Sequence, residues 1–438
     1  VEVHPEAARE LGIEQGDVLR VASRWGSVEV PAYIYPGVRR DTLAIQMGLG
    51  HDAYGRFTEG RGVNPNDLLG VAADPVAGSF AAYGERVSVV PTGERNVRAQ
   101  GLFEGGVRVQ HDRELAQAVS LASIQQLDAA RQGAIPGSQE LIPALRGNGG
   151  FAPVPTPTAP SDYPPPGTHY GQYIEGMTRW AMAIDLSRCI GCSACVTACY
   201  AENNIPVVGP SEVKKGREMT WLRIERYFGV SRDETEAFRD DATDDVRFLP
   251  MLCQHCGNAP CEPVCPVYAA YHTPDGLNGQ VYNRCVGTRY CANNCPYKVR
   301  YFNWFTYEFA EPLNWQLNPD VTVREKGVME KCTFCVQRIH EAERSAAGEN
   351  RPIRDGEVTP ACVQTCPTEV FVFGNIADPE SAVARAAQSN RSYRALEAVN
   401  TQPAIVYLKK VTLQEPKQGG HHAAAGGETH SAEPAAAH

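Results

Sequence analysis

Fifteen cysteines, all within residues 189–366, constrain this 438-residue chain more than any other feature. They fall into four runs. Cys189, Cys192, Cys195 and Cys199 are spaced x2, x2, x3. Cys253, Cys256, Cys261 and Cys265 are spaced x2, x4, x3 and end on Pro266. The third run, "RCVGTRYCANNCPYK", keeps Cys285, Cys291, Cys295 and Pro296 on the same beat but carries Thr288 in the second place. In the fourth, Cys332 and Cys335 are followed by a 26-residue insertion, then Cys362, Cys366 and Pro367. No cysteine is left over.

An odd count fits poorly with a disulfide framework. A single C-x2-C pair could be half of a zinc ribbon. Four runs ending in C-x3-C, three of them followed by Pro, do not fit zinc geometry; the rhythm is that of iron–sulfur ligation. Three thiolates on one tight loop can cap three corners of a cubane. The fourth cysteine has entered a following helix and points toward a neighbouring cluster. Gly191 and Gly287 let the backbone approach the sulfides, whose charge is met by loop N–H groups. Runs two and three lie only 19 residues apart and suit one two-cluster module, leaving runs one and four for the other. Spacing by itself leaves that pairing open.

The rest of the chain is ordinary in composition, 43% hydrophobic and 21% charged. A net charge of −10 argues against nucleic acid and against direct binding to anionic lipid. No apolar run reaches the roughly 18 residues that span a bilayer, so membrane attachment is expected through a partner. The chain starts at Val1 within what reads as a folded unit, so we expect a longer polypeptide with any targeting signal upstream.

Residues 1–95 read as a small β-rich barrel with one or two helices. "HPEAARELG" signals a short helix, Gly16-Asp17 a turn, and Val18–Ala22, Val28–Tyr35 and "GERVSVVPTG" strands. Residues 112–131 read as an amphipathic helix, with Leu115, Val119, Leu121 and Ile124 near helical spacing, packing on a neighbouring domain. Residues 152–166 hold seven prolines and are expected to form an extended linker. Residues 416–438 are low-complexity and expected to be a solvated tail, its His421, His422, His430 and His438 included.

Residues 180–375 resemble the four-cluster electron-transfer subunits of complex iron–sulfur molybdoenzymes, through "CIGCSACVTACYAENN", "CQHCGNAPCEPVCPVYA", "CVGTRYCANNCPYKVRYFN" and the pair "EKCTFCVQRI" and "PACVQTCPTEVFVFG". Residues 1–95 resemble the C-terminal pterin-dinucleotide domain of the large molybdoenzyme subunits, a double-psi β-barrel, through "HPEAARELGIEQGDVLRV" and "GRGVNPNDLL". Gly62, Asn64 and Asn66 fall where that family contacts its pterin. The two pieces in one chain, joined by a Pro-rich linker, resemble the iron–sulfur subunits of alternative complex III, bacterial quinol-oxidising respiratory assemblies.

The resemblance implies an α+β fold: a double-psi β-barrel-like unit at 1–95, a helix and linker at 96–175, and a ferredoxin-like domain of two two-cluster modules at 176–415. It implies four clusters, on Cys189, Cys192, Cys195 and Cys366; on Cys332, Cys335, Cys362 and Cys199; on Cys253, Cys256, Cys261 and Cys295; and on Cys285, Cys291 and Cys265. The last, short of one thiolate at Thr288, is expected to be 3Fe–4S beside three 4Fe–4S clusters, with its potential raised by the smaller negative charge. A Thr288 oxygen on a fourth iron, or an open Lewis-acid iron, are the other readings of that gap. No acid–base constellation in the sequence supports the Lewis-acid site, and turnover without a redox partner would be needed to support it. No molybdopterin is expected, because residues 1–95 supply one wall of such a site. The implied partners are a membrane quinol-binding subunit of polysulfide-reductase type, haem c cytochrome subunits and an upstream molybdoenzyme-like region, on the periplasmic face of a bacterial inner membrane. The rival expectation is the electron-transfer portion of a working molybdopterin oxidoreductase.

Overall fold

The computed structural model describes residues 1–35, 37–53, 58–78, 84–96, 110, 113, 115–131, 178–228, 246–309 and 311–413. The proline-rich stretch and the tail lie outside them.

The N-terminal unit follows its sequence signals. His4 caps the helix Pro5–Leu11 by accepting from the Glu6 N–H at 3.2 Å, and Gly12, at φ 66°, ends it. Strand Asp17–Ala22 is the centre of an antiparallel sheet between Ser27–Pro31 and Ser88–Arg95. Its inward positions, Leu19 and Val21, meet Val28, Val30, Ala8 and Ile13 in a closed apolar cluster. A second small sheet places Glu2–Val3 between Tyr33–Ile34 and Leu43–Ala44. Asn64 caps a short 3-10 turn, Pro65–Leu68, by accepting from the Asn66 N–H at 3.2 Å. Asn64 and Asn66 are both exposed. That unit meets the rest of the chain at Arg226, whose guanidinium lies 4.1 Å from the Tyr35 ring centroid and 3.6 Å from Glu2.

The expected helix over 112–131 is a helix only from Leu121 to Arg131. Ala118–Ser120 is a strand, paired in parallel with Lys410–Thr412. The apolar spacing that suggested one helical face therefore splits. Val119 is buried in the sheet while Leu121 is 42% exposed on the helix. The segment does dock on the cysteine-bearing region, through strand pairing.

That region is organised on a four-stranded sheet in the order Phe371–Asn375, Trp180–Asp185, Ile405–Leu408, Ser392–Tyr393. Alternation gives it two buried faces. Trp180, Met182, Ile184, Phe371, Phe373, Ile405 and Tyr407 face the cysteine loops. Ala181, Ala183 and Val406 face the helix Ala382–Ala387. The sheet pairs the strand entering run one, Trp180–Asp185, with the strand leaving run four, Phe371–Asn375. Runs far apart in sequence are thereby brought together.

Candidate functional site

The four cysteine runs share a backbone. The residue before each second position, or before its substitute, is left-handed: Gly191 (φ 72°), His255 (φ 41°), Gly287 (φ 71°) and Phe334 (φ 56°). Non-glycine residues rarely adopt this conformation, so four repeats mark one loop shape built for close approach. Run three reproduces run one position for position. Ser193 (φ 61°) and Arg289 (φ 64°) are each left-handed and each caps a helix, Ala194–Glu202 and Tyr290–Asn294. Thr288 thus stands on the backbone site of Cys192, and both are exposed.

The cysteines that precede Pro share a second device. Three residues past Cys265, Cys295 and Cys366 the chain is left-handed again, at Tyr268, Lys298 and Glu369. This turn aims the next N–H back at the sulfur. Ala269 N–H donates to Cys265 Sγ at 3.1 Å and Val370 N–H to Cys366 Sγ at 3.3 Å. The Val299 N–H lowers Cys295 against its burial. Cys199 has no Pro and lies inside a helix, so its i+4 N–H is not free to turn back; the side chain of Asn203 donates instead, at 3.6 Å.

Burial and mutual repulsion show which thiols are neighbours. Cys189 is raised above the ordinary thiol range by burial, then by Cys366 and Cys192, against a lowering N–H of Gly191. Cys195 is pushed up to about 12 by burial and by Cys189, Cys366 and Cys192. Cys199, fully buried, is raised by burial and by Cys332, Cys335 and Cys362. Cys256 is raised by burial and by Cys253, Cys261 and Cys295. The thiols that bear on Cys195, Cys199 and Cys256 are thus 189/192/366, 332/335/362 and 253/261/295. The remaining three thiols are Cys265, Cys285 and Cys291. Cys265 is lowered, because donors from Ala270, Val267 and Ala269 and the charge of Arg300 outweigh its burial. The charge of Arg300 also reaches Cys291.

The groups form a line. Cys362 feels Cys195 of the first group, and Cys332 feels Cys253 of the third. Arg300 lies between the third group, through Cys261 and Cys253, and the remaining thiols, through Cys291. All eight thiols of the two middle groups are buried, whereas Cys192 is exposed and Cys189, Cys366, Cys265 and Cys285 are partly so. Both ends of the line therefore reach the surface.

The donor set fits iron–sulfur clusters. All fifteen cysteines are free, which removes the disulfide reading. Cys253, Cys256, Cys261 and Cys295 line one shared pocket, together with Asn278 and Arg300. Such buried thiols resist ionising alone, so a bound cation must hold them as thiolates.

Sequence reasoning missed several polar residues packed among these groups. Asn203 bridges Cys199 and, at 3.9 Å, Cys335. Lys331 is fully buried and donates to Cys332 O at 2.8 Å. Fully buried His255 stacks on Phe334 at 4.0 Å. Buried Arg324 pairs with Glu330 at 2.9 Å. A lone charge amid apolar neighbours, as in Val299-Arg300-Tyr301, was the only signal available.

Residues 1–84 match the family described as "Molydopterin dinucleotide binding domain". Residues 188–269 and 244–311 each match a "4Fe-4S dicluster domain". The chain is similar to the "Menaquinone reductase, iron-sulfur cluster-binding subunit" of Nitratidesulfovibrio vulgaris, 39% identical over 242 residues, 54% of this chain and 91% of the relative. It is also similar to the "Hdr-like menaquinol oxidoreductase iron-sulfur subunit 1" of Archaeoglobus fulgidus, 36% identical over 251 residues, 53% of this chain and 83% of the relative.

Proposed function

The chain belongs to the family of iron–sulfur electron-transfer subunits of molybdoenzyme-type reductases, menaquinone reductase among them, and we propose that it is the electron relay of a respiratory quinol:acceptor oxidoreductase of the alternative complex III type. The observation that carries this reading is the line of four thiol groups with a buried middle and two ends at the surface. A relay needs that form, because electrons must enter and leave at partners while the interior stays dry.

Clusters supply one-electron carriers when bound. The chain's part is to hold them. Cys189, Cys192, Cys195 and Cys366 hold the first; Cys199, Cys332, Cys335 and Cys362 the second; Cys253, Cys256, Cys261 and Cys295 the third. Cys265, Cys285 and Cys291 hold the fourth, of 3Fe–4S type, with Thr288 on the site where a thiolate is missing. Fewer thiolates raise its potential, which suits the entry point from quinol.

The domain plan is a barrel-like unit at 1–95 of double-psi type without pterin, a connecting segment at 96–175, the relay at 176–415 and a tail at 416–438. Asn64 is engaged in capping its own turn, which supports a structural role for the first unit. The quinol site and the cytochrome acceptor lie on other subunits. No helix among the described residues is long and apolar enough to cross a membrane. In keeping with the family resemblance, a membrane subunit of polysulfide-reductase type carries the quinol site, on the periplasmic face. Carbonate and high-salt washing of native membranes should remove this chain and quinol oxidation together. Full quinol oxidation without the chain would refute the assignment.

The match of residues 1–84 favours one second reading, the electron-transfer part of a working molybdopterin oxidoreductase. Stoichiometric molybdenum or tungsten in the native assembly would select it.

A further inference from the structure

Arg300 is 5% exposed and forms no ion pair with a carboxylate among the described residues. Its Nη1 donates to Cys261 Sγ at 3.6 Å and to Asn278 Oδ1 at 3.0 Å, and its Nη2 donates to Gln280 Oε1. Cys291 also lies close enough to interact with its charge. Glu262, which shares Asn278 with Arg300, is taken up by His272 Nδ1 at 2.9 Å and by the Asn278 side-chain amide. A buried guanidinium without a counter-charge is strongly unfavourable. Here the groups that face it are Cys261 and Cys253 of the third thiol group and Cys291 and Cys265 of the fourth.

Resting on the four-cluster reading above, we propose that Arg300, bonded to Cys261 of the third group, is a fixed positive charge shared by the third and fourth clusters, which sets both potentials upward together. Adding an electron to either cluster adds negative charge beside a cation that cannot move away. Cluster charge and hydrogen bonds to sulfur are the two levers by which a protein sets such potentials, and this one side chain works the first on two neighbours at once and the second on Cys261. Arg rather than Lys suits the place, because a planar fork can address a sulfur and two side-chain oxygens simultaneously. Arg300 acts as a positioning and tuning residue; it binds no substrate.

The test is an EPR-monitored redox titration of the native assembly carrying Arg300→Gln, which removes the charge, and Arg300→Lys, which keeps it. In Arg300→Gln the midpoints of the 3Fe–4S signal and of its nearest neighbour should fall together, while the signal of the Cys189 group stays in place. Arg300→Lys should retain most of the wild-type positions. Unchanged midpoints in Arg300→Gln, or an equal fall of all four, would overturn the proposal. Should Arg300→Gln fail to assemble its clusters, Arg300→Lys decides: restored clusters near wild-type midpoints support a charge role, and lost clusters there refute it. Absence of cluster signals from the wild-type protein would instead refute the four-cluster reading itself.

Discussion

The side-chain amide of Asn203 donates to Cys199 Sγ at 3.6 Å, in the place where Cys265 and Cys366 are served by a backbone N–H four residues on. The substitution compensates for a helix that continues where the other runs turn at Pro. Asn203→Leu should therefore lower the potential of the cluster held by Cys199. About 1 kcal/mol of hydrogen bonding lost preferentially from the reduced state corresponds to roughly 40 mV for one electron. Redox titration of that signal checks it, and a midpoint unmoved within error would show that the amide serves only the helix end.

Gly287 is where the third loop tolerates least. Its φ is 71°, and an added Cβ would lie 2.5 Å from the backbone oxygen of Gly327, which has no side chain to swing away. Gly287→Ala should cost about 2 kcal/mol or more from left-handed strain and the clash. Loss of the 3Fe–4S signal should accompany the lower melting temperature. Gly191→Ala meets the Phe248 ring at 2.6 Å and should be milder, because a ring can rotate.

Glu330 and Arg324 form an ion pair with side chains 0% and 1% exposed, and the guanidinium also lies over Trp221 and Tyr282. Glu330→Gln leaves a buried cation unpaired and should destabilise the chain by about 3–5 kcal/mol. The double variant Glu330→Leu, Arg324→Met should recover much of that in chemical denaturation. Failure to recover would mean that the pair orders the loop beyond its charge.

Thr288→Cys places a thiol on the backbone site that Cys192 occupies in the first run. The variant should gain a fourth iron at that cluster, lose the oxidised 3Fe–4S EPR signal, show a lower potential and oxidise quinol more slowly. An unchanged EPR spectrum would contradict the assignment of Thr288 to that corner.

The four cysteine runs are legible in the sequence because ligand spacing is a local property. Which runs stand together is not local. The sheet that joins Trp180–Asp185 to Phe371–Asn375 brings run one to run four, and Cys199 stands beside Cys332, Cys335 and Cys362. Other features outside the reading also depend on contacts distant in sequence. Ala118–Ser120 became a strand because Lys410–Thr412 offers it an edge, and no spacing near residue 119 reports that edge. Arg300 and Asn203 look like any polar residues near a motif until the fold turns them toward sulfur. In the N-terminal unit, by contrast, His4, Gly12 and Gly16 are local punctuation, and the helix and the strand Asp17–Ala22 fall where they indicated, whereas the expected strand Val28–Tyr35 splits into Ser27–Pro31 and Tyr33–Ile34 because each half pairs in a different sheet.

The central claim is a relay of three full clusters and one with three irons. Iron analysis of the native assembly together with EPR of the air-oxidised protein tests it most directly. Three cubanes and one 3Fe–4S cluster predict about 15 irons per chain and a spin-half 3Fe–4S signal integrating to roughly one per chain. About 16 irons with no such signal would mean that a ligand other than cysteine completes the fourth cluster, and the account of Thr288 would be wrong.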